Sequence, residues 1–267
     1  MKTPNIPSKK GEKTMGKLNE LMDLASSNVG FLLLSAAIVA ILIGIAYGAE
    51  IILAKKNNTK RNQEQLKLKR MVIIAMLSAL AVVLMLFKFP LGFVPSFYTL
   101  DFSEIPVIVG AFTLGPVAGL VIEFIKILLN TLINGTLSAF VGELANFLIG
   151  SAFVIPASFL YFLKKSRKSA ILGLSIGTIV ATAAGGILNA YVLLPKYAQL
   201  MGPMYGLDYD QMMGSLLDEG SKVNSAIQGM STFILLGVTP FNLIKFGAVS
   251  IITILIYKKL SHILKAH

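Results

Sequence analysis

Apolar and polar positions alternate along this chain in blocks: long apolar runs, separated by short polar, basic or aromatic breaks. The first run, 30–54, suffices to cross a hydrocarbon core of roughly 30 Å at about 1.5 Å per helical residue. It carries Gly44-x-x-x-Gly48 and a late Glu50, and reads as an uncleaved membrane anchor. After a basic break come runs at 71–87, 105–114, 116–133, 137–163, 170–194 and 233–257, the last interrupted at Pro240. Only Gly115-Pro116 divides the second of these from the third, and 105–114 is short for a full crossing, which predicts a tilted or neighbour-packed helix. The pattern predicts an all-α integral membrane protein, a six-helix transmembrane bundle with one additional N-terminal transmembrane helix. Its parts are a polar tail (1–29), the added helix (30–54), a basic cytoplasmic linker (55–70) and a six-helix domain (71–260). Within that domain 195–232 reads as a long extracellular loop whose Met and Leu content suggests a short amphipathic helix.

Composition removes the soluble alternative. Of 267 residues, 55% are hydrophobic and only 14% charged, with a mean hydropathy of +0.76, more apolar surface than a soluble fold of this length could bury. The net charge of +11 does not indicate nucleic acid, because the basic residues collect between apolar runs: seven in 55–70, four in 164–168 and three at Lys258, Lys259 and Lys265. That is the distribution of cytoplasmic segments beside anionic headgroups. It places the linker, 164–168 and the C-terminus inside, and 89–104, the connection near 135 and 195–232 outside. The five lysines of the N-terminal tail then fall outside, against the same rule.

Chemistry for catalysis is sparse. Cysteine is absent and the two histidines, His262 and His267, sit in the tail. No phosphate loop, zinc-helix motif or nucleophile elbow occurs. No metal, cofactor or enzymatic activity is expected. What stands out is polar groups in apolar surroundings. Glu123, Lys126, Asn130 and Asn134 recur at i, i+3, i+7 and i+11, one stripe of a helix that lipid would disfavour. Taken alone, Glu123 and Lys126 fit a packing pair as well as a functional one. Tyr98, Thr99, Asp101, Glu104, Glu143, Asn146, Asn189, Asn242 and Lys245 all fall towards the outer half. Amides and a lysine among Phe, Tyr, Leu and Met suit a planar, hydrogen-bonding ligand; each Asn alone fits an interhelical hydrogen bond equally.

Tyr98-Thr-Leu-Asp-Phe-Ser-Glu-Ile-Pro106, Gly110-Ala-Phe-x-Leu-Gly-Pro116, Leu144-Ala-Asn-Phe147 and Asn242-x-x-Lys245 resemble the riboflavin-specific substrate-binding (S) component of energy-coupling factor (ECF) transporters, over about residues 70–260. The resemblance implies a six-helix fold with an extracellular vitamin site closed by the loop after the first core helix. It implies a plasma-membrane protein of a prokaryote with a cytoplasmic C-terminus. As partners it implies riboflavin, a transmembrane coupling subunit and two ATPase subunits. Carried over by motif, Asn242 and Lys245 would bond the flavin or its ribityl chain, helped by Thr99 and Asp101 from the loop and by Asn146 and Asn189 from neighbouring helices. Leu91, Phe93 and Tyr98 would form an apolar lid. Ala75-x-x-x-Ala79 resembles the small-residue motif that contacts the coupling subunit. The added N-terminal span and the 195–232 segment depart from the family pattern.

Rival readings are an S component for thiamine, biotin or folate, a membrane scaffold without transport, and an autonomous transporter using Glu123 and Lys126 as a proton relay.

Overall fold

In lipid a backbone must satisfy its own N–H and C=O groups, so sufficiently long apolar runs become helices. The computed structural model, which describes residues 22, 23, 26, 28–57 and 64–265, has this form. Most of the 1–29 tail, the centre of the linker at 58–63 and His267 lie outside the described residues. Helix α1 is Val29–Asn57 and α2 is Glu64–Leu86, followed by α3 (Glu104–Leu114), α4 (Pro116–Asn134), α5 (Val141–Leu163) and α6 (Arg167–Leu188). A five-residue π-helical turn, Asn189–Leu193, joins α6 to α7 (Leu194–Met201). Helices α8 (Tyr209–Val223) and α9 (Met230–Phe233) follow, and a second π-helical turn, Ile234–Val238, leads into α10 (Thr239–Lys265). Among the described residues, six helical segments are long and apolar enough to cross a membrane, Val29–Lys55 among them; α3, with 11 residues, is a shorter apolar helix packed between α2, α4 and α10. The second half of the expected linker is helical: Lys67, Lys69 and Arg70 begin α2, in line with the good helix propensity of Lys, Arg, Gln and Leu.

The segment 195–232 is not a long loop. The helical segment Arg167–Tyr205 has 39 residues, roughly 58 Å at 1.5 Å per residue and about twice a hydrocarbon core. Pro195 reads as a break because it lacks an N–H and its ring strikes the carbonyl four residues back. Here the wider turn absorbs both defects: Leu194 N–H reaches back five residues to the Asn189 carbonyl, and Pro195 opens the narrower helix beyond. Pro240 repeats the arrangement, with Thr239 N–H bonding the Ile234 carbonyl. Both prolines therefore sit in continuous helical segments that contain a local slip in register. Helix α8 is amphipathic. Asp208 accepts from Gln211 N–H at 2.8 Å while the Gln211 side chain accepts from Asp208 N–H at 3.1 Å, a reciprocal cap. Its Met212, Leu216 and Gly220 lie one turn apart and buried; the first two join Ile227 and Phe233 in a small core.

Helices α5 and α6 approach closely through glycine. A Cβ at Gly173 would lie 2.5 Å from the Ala157 carbonyl oxygen, and one at Gly177 2.6 Å from that of Phe153. Where lipid supplies no hydrophobic drive between helices, such contact is a main source of association.

The added helix α1 packs on α4 and α5, burying Phe31, Ala46 and Leu53. Its Glu50 carboxylate accepts from the Val117 N–H at the start of α4 (3.2 Å) and pairs with Arg70 (3.4 Å), a negative charge at the positive end of a helix. Glu50→Ala is expected to lower thermal stability by about 1 kcal/mol, which a thermal-shift measurement checks.

Candidate functional site

The segment between α2 and α3 is closed at its base by a two-residue antiparallel pairing of β1 (Phe89–Pro90) and β2 (Thr99–Leu100), with Phe89 opposite Leu100 and Pro90 opposite Thr99. This pairing turns 91–98 into a compact lid over one end of the bundle. The Tyr98 ring packs against Phe241 (centroids 5.4 Å apart) and Phe233 (6.2 Å). Its hydroxyl donates to Asn189 Oδ1 at 2.7 Å. Burial pushes the Tyr98 phenol well above its ordinary range, so it serves as a donor.

Just past the pairing, Asp101 anchors the lid to α10. Its Oδ2 lies 3.1 Å from Lys245 Nζ, and its Oδ1 accepts from both the backbone N–H (2.9 Å) and the hydroxyl of Ser103. Burial pushes the carboxyl up, but the Lys245 and Lys126 charges and the Ser103 bonds outweigh it and hold the group at about 2. A lowered carboxyl pKa stabilises the folded state fully above the free value near 4. That contribution fades only as pH falls through about 2, so the anchor is intact at every physiological pH.

The two asparagines carried over by motif share one local design. Asn189 Nδ2 donates to the Gly185 carbonyl four residues back (2.7 Å), and Asn242 Nδ2 to the Val238 carbonyl four residues back (2.9 Å). Each lies at or just past a π-helical turn, and each keeps one amide N–H and a carbonyl lone pair for another partner. Gly185 makes room for Asn242: a Cβ there would fall 2.6 Å from Asn242 Nδ2.

Next to the Asp101–Lys245 pair lies a second charge cluster. Lys126 Nζ stands 2.9 Å from Glu104 Oε1 and 2.6 Å from Glu123 Oε2, all three residues being at most 1% exposed. The Glu–Lys pair legible at i, i+3 is thus one edge of a triad whose third member, Glu104, opens α3. Farther along the same stripe, Asn130 accepts from Asn134 at 2.8 Å. Glu143 accepts from the Thr136 and Ser138 hydroxyls at 3.0 Å each, so it fastens the α4–α5 turn.

Of the residues singled out in the sequence, the structure joins Tyr98 to Asn189, Asp101 to Lys245, and Asn242 to the α6 backbone at Gly185. Leu91, Phe93 and Thr99 are half-buried in the lid segment. Asn146 is half-buried on α5, one turn before Gly150. Ala75 and Ala79 are exposed along α2, on the flank of the face that buries Ser78, Val82 and Met85. The sequence reading missed Phe233 and Phe241 as walls for Tyr98; the position of Phe241 directly before Asn242 was the available signal.

Residues 69–257 match the family described as ECF transporter, substrate-specific component. The chain belongs to this family. It is 40% identical over 208 residues to the riboflavin transporter RibU of Staphylococcus aureus, a match covering 78% of this chain and 98% of that one. It is 33% identical over 196 residues to the riboflavin transporter FmnP of Bacillus subtilis, covering 73% and 93%. A solved structure of the S component of a bacterial ECF transporter superposes with a TM-score of 0.54 at 39% identity, covering 74% of this chain and 99% of that one. This S component is therefore a multi-pass membrane protein of a transport system and not an enzyme. Helix α1 lies wholly before the matched residues.

Proposed function

We propose that this S component binds riboflavin under the lid at the extracellular side of a prokaryotic plasma membrane and delivers it inward. The energy comes from two ATPase subunits acting through a transmembrane coupling subunit. The reading rests above all on one observation: the lid bonds Asn189 through Tyr98 and Lys245 through Asp101, beside aromatic walls, in a chain 40% identical to a riboflavin transporter. Two amides with free donor and acceptor capacity and an ammonium group match the alternating edge of an isoalloxazine ring. Phe241, Tyr98 and Phe233 provide the apolar surface that such a ring buries. In this reading Leu91, Phe93 and Thr99 complete the lid, Asn146 faces the ligand from α5, and the exposed Ala75–Ala79 strip receives the coupling subunit. The C-terminus and the basic residues before α2 are cytoplasmic.

The detergent-purified protein is expected to be yellow, or to quench added riboflavin fluorescence with a stoichiometry near one. A colourless preparation that ignores riboflavin and binds thiamine, biotin or folate would replace the vitamin while leaving the family intact. Uptake into vesicles by this chain alone, without ATPases, would instead favour the autonomous proton-coupled reading.

A further inference from the structure

The lid has two faces. Inward, Val94, Leu100 and Asp101 are buried, and the Tyr98 hydroxyl and the Asp101 carboxylate reach Asn189 and Lys245. Outward, the segment 87–97 carries uncovered aromatic surface: Phe87 is 61% exposed, Phe89 51% and Phe97 48%. Rings grouped in this way are a costly surface to leave in water, and such a patch marks a contact with something apolar.

The position of these rings identifies the contact. The apolar span of α2, Leu68–Leu86, has 19 residues, about 28 Å at 1.5 Å per residue and close to the thickness of a hydrocarbon core. Phe87 and Phe89 therefore leave the helix where acyl chains give way to headgroups, a boundary at which Phe serves as an apolar anchor. Phe87 also continues the exposed apolar side of the span, since Leu80, Val83 and Phe87 recur at i, i+3 and i+7 and each is at least half exposed. Its N–H still bonds the Leu84 carbonyl at 3.2 Å, so the last helical turn holds the ring on that side. Lys88, between the two rings, is exposed, and its long apolar stem lets the ammonium reach a headgroup phosphate. The rim is tied to the lid itself. The Phe97 ring packs on Tyr98 (centroids 4.8 Å apart) and the Phe89 ring on Phe102 (6.5 Å), so Tyr98 cannot leave Phe241 without disturbing Phe97.

We propose that the bilayer is a third holder of the closed lid, beside Asn189 and Lys245. Phe87, Phe89 and Phe97 seat its outer rim at the boundary between acyl chains and headgroups, with Lys88 on lipid phosphate, so that opening the lid withdraws apolar rings from lipid. The effect on riboflavin rests on the riboflavin reading of the site, whereas the lipid contact holds whichever ligand binds beneath.

The chain has no tryptophan, so Phe89→Trp supplies a single indole at the rim. The full-length variant, free of ligand, is placed in nanodiscs of phosphatidylcholine and phosphatidylglycerol. Brominated phosphatidylcholine is expected to quench its fluorescence, most strongly with the bromines near the headgroup end of the acyl chains. Quenching by aqueous iodide and not by brominated lipid puts the rim in water and overturns the proposal, as does strongest quenching from bromines at the chain ends. Quenching that disappears once the coupling subunit and ATPases are bound assigns the rim to that partner and overturns it too. A second arm reads the lid. In the same nanodiscs Phe89→Ser and Phe97→Ser are each expected to release riboflavin about three- to tenfold faster than wild type. Phe89→Trp, which keeps an aromatic anchor at the boundary, is expected to stay within about twofold. Serine variants that release at the wild-type rate, or a tryptophan variant as fast as they are, overturn the hold of lipid on the lid. A wild-type chain that binds no riboflavin fails the vitamin reading alone, and the brominated lipids still decide the seat of the rim.

Discussion

Lys245→Ala is expected to weaken riboflavin binding by about a hundredfold or more, and by more than Asn242→Ala, for which about ten- to a hundredfold is expected. The difference comes from what each deletion strands. Asn242 spends one amide N–H on the Val238 carbonyl, so in the proposed site its loss removes one ligand contact and relaxes one helical turn. Lys245 is the charged partner of Asp101. Its removal leaves a buried carboxylate with hydrogen bonds from Ser103 alone among the described residues and the more distant Lys126 charge, and breaking a buried ion pair from one side costs about 3–5 kcal/mol. The lid then loses its anchor at the same moment as the ligand loses a donor. Fluorescence titrations of Lys245→Ala, Asp101→Asn and the double variant separate the two effects. If Lys245 touches riboflavin, the alanine still costs affinity in the Asp101→Asn background. If it only anchors the lid, the double variant matches Asp101→Asn. Wild-type binding by both Lys245→Ala and Asn242→Ala, in protein that remains monodisperse, would move the ligand site away from these residues.

Ala75→Trp is expected to abolish transport while sparing riboflavin binding. On α2, Ala75 and Ala79 lie one turn apart and exposed, flanked by exposed Met71, Val72, Met76 and Val83. The helix turns Ser78, Ala81, Val82 and Met85 inward. Helix α1 does not occupy this strip, since it packs on α4 and α5. The strip is therefore free for another helix to approach closely. Within lipid that approach depends on packing, so an indole in its path should be costly. Pull-down with the coexpressed coupling subunit and ATPases, paired with a titration of the isolated variant, gives the outcome. Normal assembly and uptake by the variant would mean that the strip faces lipid throughout the cycle. Loss of ligand binding as well would mean that α2 transmits strain from this strip to the lid.

Much of the helical framework was readable from apolar run length alone, and the reason is the solvent. In lipid a long apolar segment has almost no alternative to a helix, so the expected run 30–54 corresponds to Val29–Asn57, and 137–163 to Val141–Leu163. The Glu123–Lys126 contact was equally legible, because i, i+3 spacing on a helix sets distance directly. Two kinds of feature needed the tertiary structure. Pro195 and Pro240 are breaks by every local rule, yet both helical segments continue. The π-helical turns that absorb them carry a register slip, and it is held here by neighbours such as Tyr98 on Asn189 and Gly185 against Asn242. The partners of the polar groups were the other. Tyr98 and Asn189 are 91 positions apart, and Asp101 and Lys245 144. What joins them is the depth to which glycine-lined helices close on one another, and spacing along one helix carries no information about that. The residue types announced a polar site inside an apolar bundle. Which acid faces which base follows only once the helices are packed.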